Sequence, residues 1–489
     1  MQILVIDIGT TSARGILYGP GGSALDMHSV STPLLHDPDT GFIEQSPDVY
    51  RRAISVICRR IARTHQIDAI SVTAFRSAPT LVDRSGEPMT NFIMWQDTRN
   101  SEICRRLQPM APAIYATSGA RLNTVFTASK LTWFREHQPE MWSRAYKAMI
   151  VPDFVVNFMT GEFATDYTYG SRTHLMDIRS LRWDEEMCRV FSIDMDKLCE
   201  LRSQGTVFGK VNAAFAGMTG IREGVPVISA GGDQQCGALG FGVMDDSKIE
   251  VNSGTGSFII SLADRPILEN DAVICNVASV PGMYTQEMNV IASASAVNWL
   301  IREFFPEHWG NPPDFDAVNR IAEKTPVGAR GLCAVPHFQG CGSRSWDPEA
   351  RAIFAGFSLS TERGDMIRAL YEGIAAEIAK SIDALPEACR KASSIAVAGG
   401  LSRSDIYNRI LCDMTDRTLV RGENEQATAL GAYISAAVAL GVYGGSRAAY
   451  DSVRHREGDV IYEPDAGNAA FYRAYGERAE RLYRADSRA

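Results

Sequence analysis

Residues Ile3–Gly15 read ILVIDIGTTSARG: an apolar run interrupted by one acid, then a Gly-Thr-Thr-Ser turn. A short apolar run is what a buried strand needs, and a carboxylate at its carboxyl end beside a hydroxyl-rich turn suits a metal-bound nucleotide phosphate. The signal returns at Ile249–Ile260, IEVNSGTGSFII, where Gly254, Thr255 and Gly256 form the bend. Between them, Val225–Gly242 reads VPVISAGGDQQCGALGFG and stops its apolar run at Gly231-Gly232-Asp233; near the end, Ile395–Ser404 reads IAVAGGLSRS and runs into a Gly-Gly turn. Four glycine-hinged turns after apolar strands suggest one nucleotide held between two similar halves.

The chain has 489 residues, enough for two large α/β domains or about three of ordinary size. With 45% apolar and 22% charged residues, both halves can bury a core. A net charge of -9, with no long basic stripe, argues against broad nucleic-acid binding. Ten cysteines without a C-x-x-C pair point to a reducing compartment, where they act as small buried apolar groups. No targeting segment stands out, because Asp7 interrupts the first apolar run and no basic lead precedes it. Ala427–Gly445 carries no charge and is long enough to span a bilayer, but its alanines and glycines read as a buried helix. A cytoplasmic protein without membrane partners is expected.

Strand and helix patterns alternate, favouring a largely parallel or mixed sheet covered by helices. The periodicity predicts helices over Asp48–Arg63, Ala292–Phe305, Met366–Leu385 and Ala469–Arg484, and a strand over Ile67–Thr73. Asp83–Gly86 reads as a turn, and Met141–Gly161 and Leu181–Leu201 as helical peripheral pieces. The polar Asp245–Lys248 segment is the expected joint between residues 1–245 and 246–489.

Six landmarks occur in order: DIGTTSAR (Asp7–Arg14), WQDTR (Trp95–Arg99), SKLTWF (Ser129–Phe134), GGDQQ (Gly231–Gln235), SGTGSF (Ser253–Phe258) and AGGLSRSD (Ala398–Asp405). Together they resemble the FGGY family of carbohydrate kinases over about residues 1–440. The resemblance implies two actin-like, RNase H-like domains of the hexokinase type, with ATP and a sugar meeting in the cleft between them. It also leaves a homodimer open.

Phosphoryl transfer asks for positioning and charge stabilisation, so a kinase needs one carboxylate against the acceptor hydroxyl and donors around the moving phosphate. Asp233 is the candidate carboxylate: it follows a buried strand through two glycines and precedes a helix start. An isolated Asp there could equally be a helix cap; the family pattern favours catalysis. Thr10, Thr11 and Ser12 offer hydroxyls and backbone N–H groups to phosphate, and Arg14 offers positive charge. Asp7, with Asp233, is the candidate for holding Mg²⁺ through water, its alternative being a strand-end cap. Gly254, Thr255 and Gly256 would face the same phosphates. By the resemblance, Gly399 and Gly400 form a platform for adenine and ribose, with Asn298 and Asp405 at nearby positions. The chain lacks G-x-x-x-x-G-K-[ST] and G-x-S-x-G, which removes a P-loop cradle and the simplest hydrolase reading.

For the acceptor, Arg76 and Gln234 match glycerol kinases, but Ser77 stands where those enzymes have a glutamate and Val125 where they have a tyrosine. Segment Ala74–Pro79, AFRSAP, also lacks the Gln-Met-His of xylulose kinases. What remains is a polar pocket of Arg76, Trp95, Asp97, Asp233 and Gln234 with Phe75 as an apolar wall, suited to a polyol or ketose of three to five carbons. Trp95 could instead be a core residue, and Arg76 with Asp97 a structural ion pair. Glycerol kinase and xylulokinase are the alternatives within kinases. Outside them stand an actin-like ATPase and a ligand-binding regulator without sugar phosphorylation; GGDQQ and WQDTR favour the kinase.

Overall fold

The computed structural model describes residues 1–422, 426–454 and 458–486. Its first half is built on a six-stranded sheet of β1 (Ile3–Ile8), β2 (Ser12–Tyr18), β3 (Ala24–Ser31), β4 (Ala69–Ala74), β5 (Thr206–Lys210) and β6 (Pro226–Gly232). The spatial order is β5-β6-β4-β1-β2-β3, with β1, β4 and β6 parallel and the rest antiparallel.

The second half repeats the plan. Its seven strands are β7 (Lys248–Ser253), β8 (Ser257–Ala263), β9 (Ile274–Val277), β10 (Tyr284–Val290), β11 (Ser394–Ala398), β12 (Thr418–Arg421) and β13 (Val460–Tyr462). Their order is β9-β10-β8-β7-β11-β12-β13, with β7, β11 and β12 parallel. In each half a hairpin leads into an antiparallel flank on one side and two parallel strands on the other. The glycine turns of the sequence all follow the carboxyl ends of those parallel strands, the edge where open α/β sheets take their ligands.

Most of the expected helices form: α1 (Pro47–Ala62), α4 (Ala294–Phe304), α5 (Arg363–Ala384) and α8 (Ala466–Asp486). Ser46 caps α1 by accepting from Asp48 N, and its apolar stripe of Tyr50, Ile54, Ile57 and Ile61 packs on the first sheet. Two segments differ from expectation. Met141–Gly161 is not one helix: Lys147–Ile150 leaves it as a strand, antiparallel to Pro79–Val82. Leu181–Leu201 holds one short helix, Glu185–Val190, between strands Arg182–Trp183 and Glu200–Arg202. Pairing overrides local periodicity in both, with distant strands at Lys147–Ile150 and Glu200–Arg202 and with the adjacent Met176–Asp177 at Arg182–Trp183.

The charge-free stretch forms the helix α7 (Ala427–Ala439), and no helix among the described residues is long and apolar enough to cross a membrane. Although it belongs to the second half of the sequence, α7 packs on the first sheet, against Ile3, Val5 and Ile16. It also crosses α3 (Asp233–Gly240) in close contact, because Gly240 meets the backbone of Ala427 and Gly431 meets that of Cys236. A side chain at either glycine would drive the helices apart. The helix that begins at Asp233 is thereby fixed to both halves of the chain.

Candidate active site

Three parallel strands of the first half end side by side: β1 at the Gly9–Ser12 turn, β4 at Phe75–Ser77 and β6 at Gly231-Gly232-Asp233. The first turn is closed by Gly9 N donating to Ser12 O (2.9 Å), which leaves Thr11 exposed. Asp7 and Arg14 lie directly opposite one another across the hairpin and pair at 2.8 Å. Arg14 also donates to Gln426 Oε1 (2.9 Å), so the candidate phosphate cation reaches the second half.

The Gly-Gly bend before Asp233 needs its glycines. Gly231 has φ 114, and a Cβ there would lie 2.6 Å from Ser279 Oγ. The bend is held from behind: Tyr169 donates to Gly231 O (2.9 Å) and accepts from Ala74 N (3.0 Å), and Thr168 Oγ1 accepts from Gly232 N (2.9 Å). Asp233 is the first residue of α3 and is not its cap. Its Oδ1 lies 3.5 Å from Arg76 Nε. Burial raises the Asp233 carboxyl above the usual range, with Arg76 opposing and Glu287 adding to the rise. Asp7 is likewise raised, first by burial and in part by the charge of Asp233, while Arg14 pulls it down. The buried Asp7 carboxylate thus feels the charge of the half-buried Asp233 at the neighbouring strand end.

The acceptor side differs from the expected set in detail. Trp95 is 37% exposed and donates from Nε1 to Thr10 Oγ1 (3.1 Å), so it is not a core residue. Asp97 is not paired with Arg76: its carboxylate accepts from Arg99 Nε and Nη2 (2.9 and 2.8 Å) and from Ile43 N (2.6 Å), committing it to structure beneath Trp95. Phe75 is packed within the core of the first half. Gln234 is half-buried, whereas it is the next residue, Gln235, that accepts from Arg76 Nη1 (3.3 Å). Ser77 is buried with φ 69, an uncommon backbone conformation for a side chain other than glycine.

Sequence reasoning missed Glu287, Arg172 and Lys130. Glu287 lies in mid-strand on β10, where Arg76 Nη1 meets it at 3.1 Å and Arg172 Nη1 at 3.4 Å. Burial works to raise Glu287, but the two guanidiniums hold it below the usual range. Its strand, YTQEMNV, mixes polar and apolar residues, so no local signal marked this acid as a buried charge in need of a partner. Lys130, from the SKLTWF landmark, is fully buried in α2 (Thr127–His137), and burial pulls its amine down to about 7 against the attraction of Asp97.

In the second half, the Gly254–Gly256 turn follows β7, and its carbonyls accept the first N–H groups of the next helix: Ser293 N to Thr255 O (2.9 Å) and Ala294 N to Gly254 O (3.0 Å). Thr255 is exposed. A Cβ at Gly256 would lie 2.5 Å from Val290 O, so the bend depends on glycine. Gly399 and Gly400 are exposed at the end of β11. Asn298 is half-buried on α4, its Oδ1 meeting no hydrogen-bond donor among the described residues. Asp405 accepts from Tyr462 Oη (2.5 Å) and Arg421 Nη1 (3.2 Å), a structural engagement at the start of α6 (Asp405–Thr415).

The models of the FGGY family of carbohydrate kinases match here in order, the N-terminal domain over residues 2–240 and the C-terminal domain over residues 250–440. The chain belongs to the FGGY family of carbohydrate kinases. A glycerol kinase of Thermococcus kodakarensis is 28% identical over 99% of this chain and 97% of its own. A xylulose kinase of Staphylococcus epidermidis is 27% identical (99% and 96%), and a gluconokinase of Bacillus subtilis 26% (96% and 93%). Among solved structures, a xylulose kinase from Rhodospirillum rubrum superposes with a TM-score of 0.91 at 25% identity, covering 99% of each chain. A Plasmodium falciparum glycerol kinase with ADP gives 0.89 at 23%, covering 99% of this chain and 98% of its own. This FGGY kinase is an ATP-dependent carbohydrate kinase, and its mixed α/β fold of two domains is of the actin-like ATPase type.

Proposed function

We propose that this FGGY kinase transfers the γ-phosphoryl group of ATP to a hydroxyl of a polyol or ketose of three to five carbons, with Asp233 as the general base. The observation that carries the reading is the half-buried Asp233 carboxylate, 3.5 Å from Arg76 at the head of a helix locked to both halves. Burial raises its proton affinity above that of an ordinary carboxylate, which favours a group that must take a proton. Asp233 takes the proton of the acceptor hydroxyl as its oxygen meets the phosphorus. Residues 1–245 hold the acceptor and 246–489 the nucleotide. The Thr10–Ser12 and Gly254–Gly256 turns present N–H groups and hydroxyls to the phosphates, Arg14 adds positive charge, and Gly399-Gly400 leaves room for the nucleoside beside the backbone.

Asp7 and Asp233 suit Mg²⁺, because the charge of Asp233 opposes the ionisation of buried Asp7 and both offer hard oxygen donors to a cation. When bound, Mg²⁺ would neutralise charge on the phosphate oxygens.

The test is a panel of glycerol, erythritol, ribitol, xylulose, ribulose and gluconate with ATP, following ADP release and the phosphorylated product by ³¹P NMR. Acceptor-dependent ADP release and a new phosphomonoester signal are the expected result. ATP consumption indifferent to every acceptor would transfer the reading to an ATPase.

A further inference from the structure

Three loops hold residues that the proposed function assigns to, or compares at, the acceptor. They carry Arg76 and Ser77, Trp95, and Val125, and they come from separate parts of the chain. One side chain reaches all three. Lys130 Nζ donates to Val125 O at 2.9 Å, to Trp95 O at 3.4 Å and to Ser77 O at 3.5 Å. An ammonium has three N–H donors, and here they meet three backbone carbonyls. Among the described residues no acid pairs with it directly; Asp97, whose charge favours its protonation, is bonded to Arg99. Asn100 extends the same frame, donating to Thr124 O (2.9 Å) and Ser129 Oγ (2.6 Å).

We propose that Lys130 is a positioning residue that fixes the backbones of the three acceptor loops, so that acceptor choice is set by the side chains mounted on a common frame. The proposal rests on the kinase reading for its kinetic consequence. Its physical basis is that a buried ammonium releases the chain poorly. Opening any one loop leaves a buried donor unmatched, a penalty above that of an ordinary exposed hydrogen bond and larger still whenever the amine carries its charge. The departures at Ser77 and Val125 fit this division of labour, since both residues hold Lys130 through their carbonyls, whatever side chain they carry; that of Ser77 turns instead to Arg172 O at 3.4 Å. Lys130 does not touch the reacting atoms.

The experiment compares wild type with Lys130→Met, which keeps length and loses every donor. Two readouts are taken. The first is amide hydrogen exchange, read by mass spectrometry on peptides covering residues 76–79, 95–98 and 123–126. Exchange there should accelerate at least about tenfold, with residues 9–12 and 254–256 unchanged. The second is steady-state kinetics, where the acceptor KM should rise about tenfold or more and preference between the two best acceptors should narrow, with the ATP KM within about twofold. Unchanged exchange in the three loops overturns the proposal, as does an equal loss toward ATP and acceptor. Should Lys130→Met not yield folded protein, Lys130→Gln, with two donors, is read the same way and should give smaller shifts in the same direction. If wild type phosphorylates no acceptor, the kinase reading falls, while the exchange result still decides whether Lys130 holds the loops.

Discussion

Arg76 Nη1 lies 3.1 Å from Glu287 Oε2, joining a residue of the N-terminal family domain to one of the C-terminal domain. Arg172 completes the contact on the other carboxylate oxygen, at 3.4 Å. Since Arg76 also approaches Asp233, one guanidinium links the candidate base to the opposite half of the chain. Any acceptor placed beside Asp233 must therefore share Arg76 with Glu287, and the set of the two halves bears directly on the field at the reacting oxygen.

Replacing Glu287 by Ala should leave the buried guanidiniums of Arg76 and Arg172 with only the more distant Asp233 as counter-charge. Breaking a buried ion pair from one side costs about 3–5 kcal/mol, and here Arg172 loses its direct partner. Urea unfolding should show the loss, with Glu287→Gln retaining an acceptor oxygen and losing less. A variant whose unfolding midpoint matched wild type would mean that the triad carries no stabilisation.

Asp233→Asn keeps the shape and removes the base. General-base catalysis contributes about 10²–10⁴-fold, so kcat should fall by at least that range, while ATP affinity changes by no more than about threefold. Equilibrium binding of a fluorescent ATP analogue beside the turnover assay separates the two. Retention of full turnover would remove Asp233 from the chemistry.

The strand-turn-strand units of the two halves were legible because strand, turn and hydroxyl lie within a dozen contiguous residues, as in Ile3–Gly15. The bend before Asp233 was legible for the same reason, its paired glycines announcing a turn that Gly231 makes at φ 114. What escaped was set by distance along the chain. Arg76 and Glu287 are separated by 211 positions, and nothing local shows that an arginine after one strand will meet an acid inside another. Asp97 misled for the opposite reason: its nearest partner is Arg99, two residues away in the same motif. Lys130 lay in a quoted landmark, but its role depends on three carbonyls, and backbone atoms leave no compositional trace. The split of Met141–Gly161 by a strand follows the same logic, because Pro79–Val82 supplies the pairing edge.

Gly399 and Gly400 can be told apart by one methyl each. Gly399 has φ 82, and a Cβ would sit 2.5 Å from the Ser253 carbonyl, so Gly399→Ala should destabilise the second half outright. Gly400 has nothing within 4 Å of its Cβ position. Gly400→Ala should therefore fold as wild type does; if the nucleoside rests there, the ATP KM should rise about tenfold with the acceptor KM unchanged. An ATP KM equal to wild type would move the nucleoside elsewhere.

Glu250 gives the fold a pH dependence of known sign. It lies on β7 in register with Ile260 of β8, which pairs in turn with Glu287 of β10, and its carboxyl is fully buried. Burial first, then the charges of Glu287 and Asp233, push it up to about 8 from an ordinary 4.5, while Asn252 works the other way. Between those values the folded chain holds a proton that the unfolded chain has released. Stability from this group is thus complete below about pH 4.5 and is lost progressively as the pH rises to about 8. His337, raised to about 9, adds a loss of the same sign over its own interval, so the raw curve mixes both. Glu250→Gln isolates the carboxyl, since a carboxamide of the same size does not titrate. Urea midpoints of the two proteins should run closest near pH 5 and diverge toward pH 8.5, the variant becoming the more stable. Parallel curves across that interval would show that Glu250 ionises as it does in the unfolded chain.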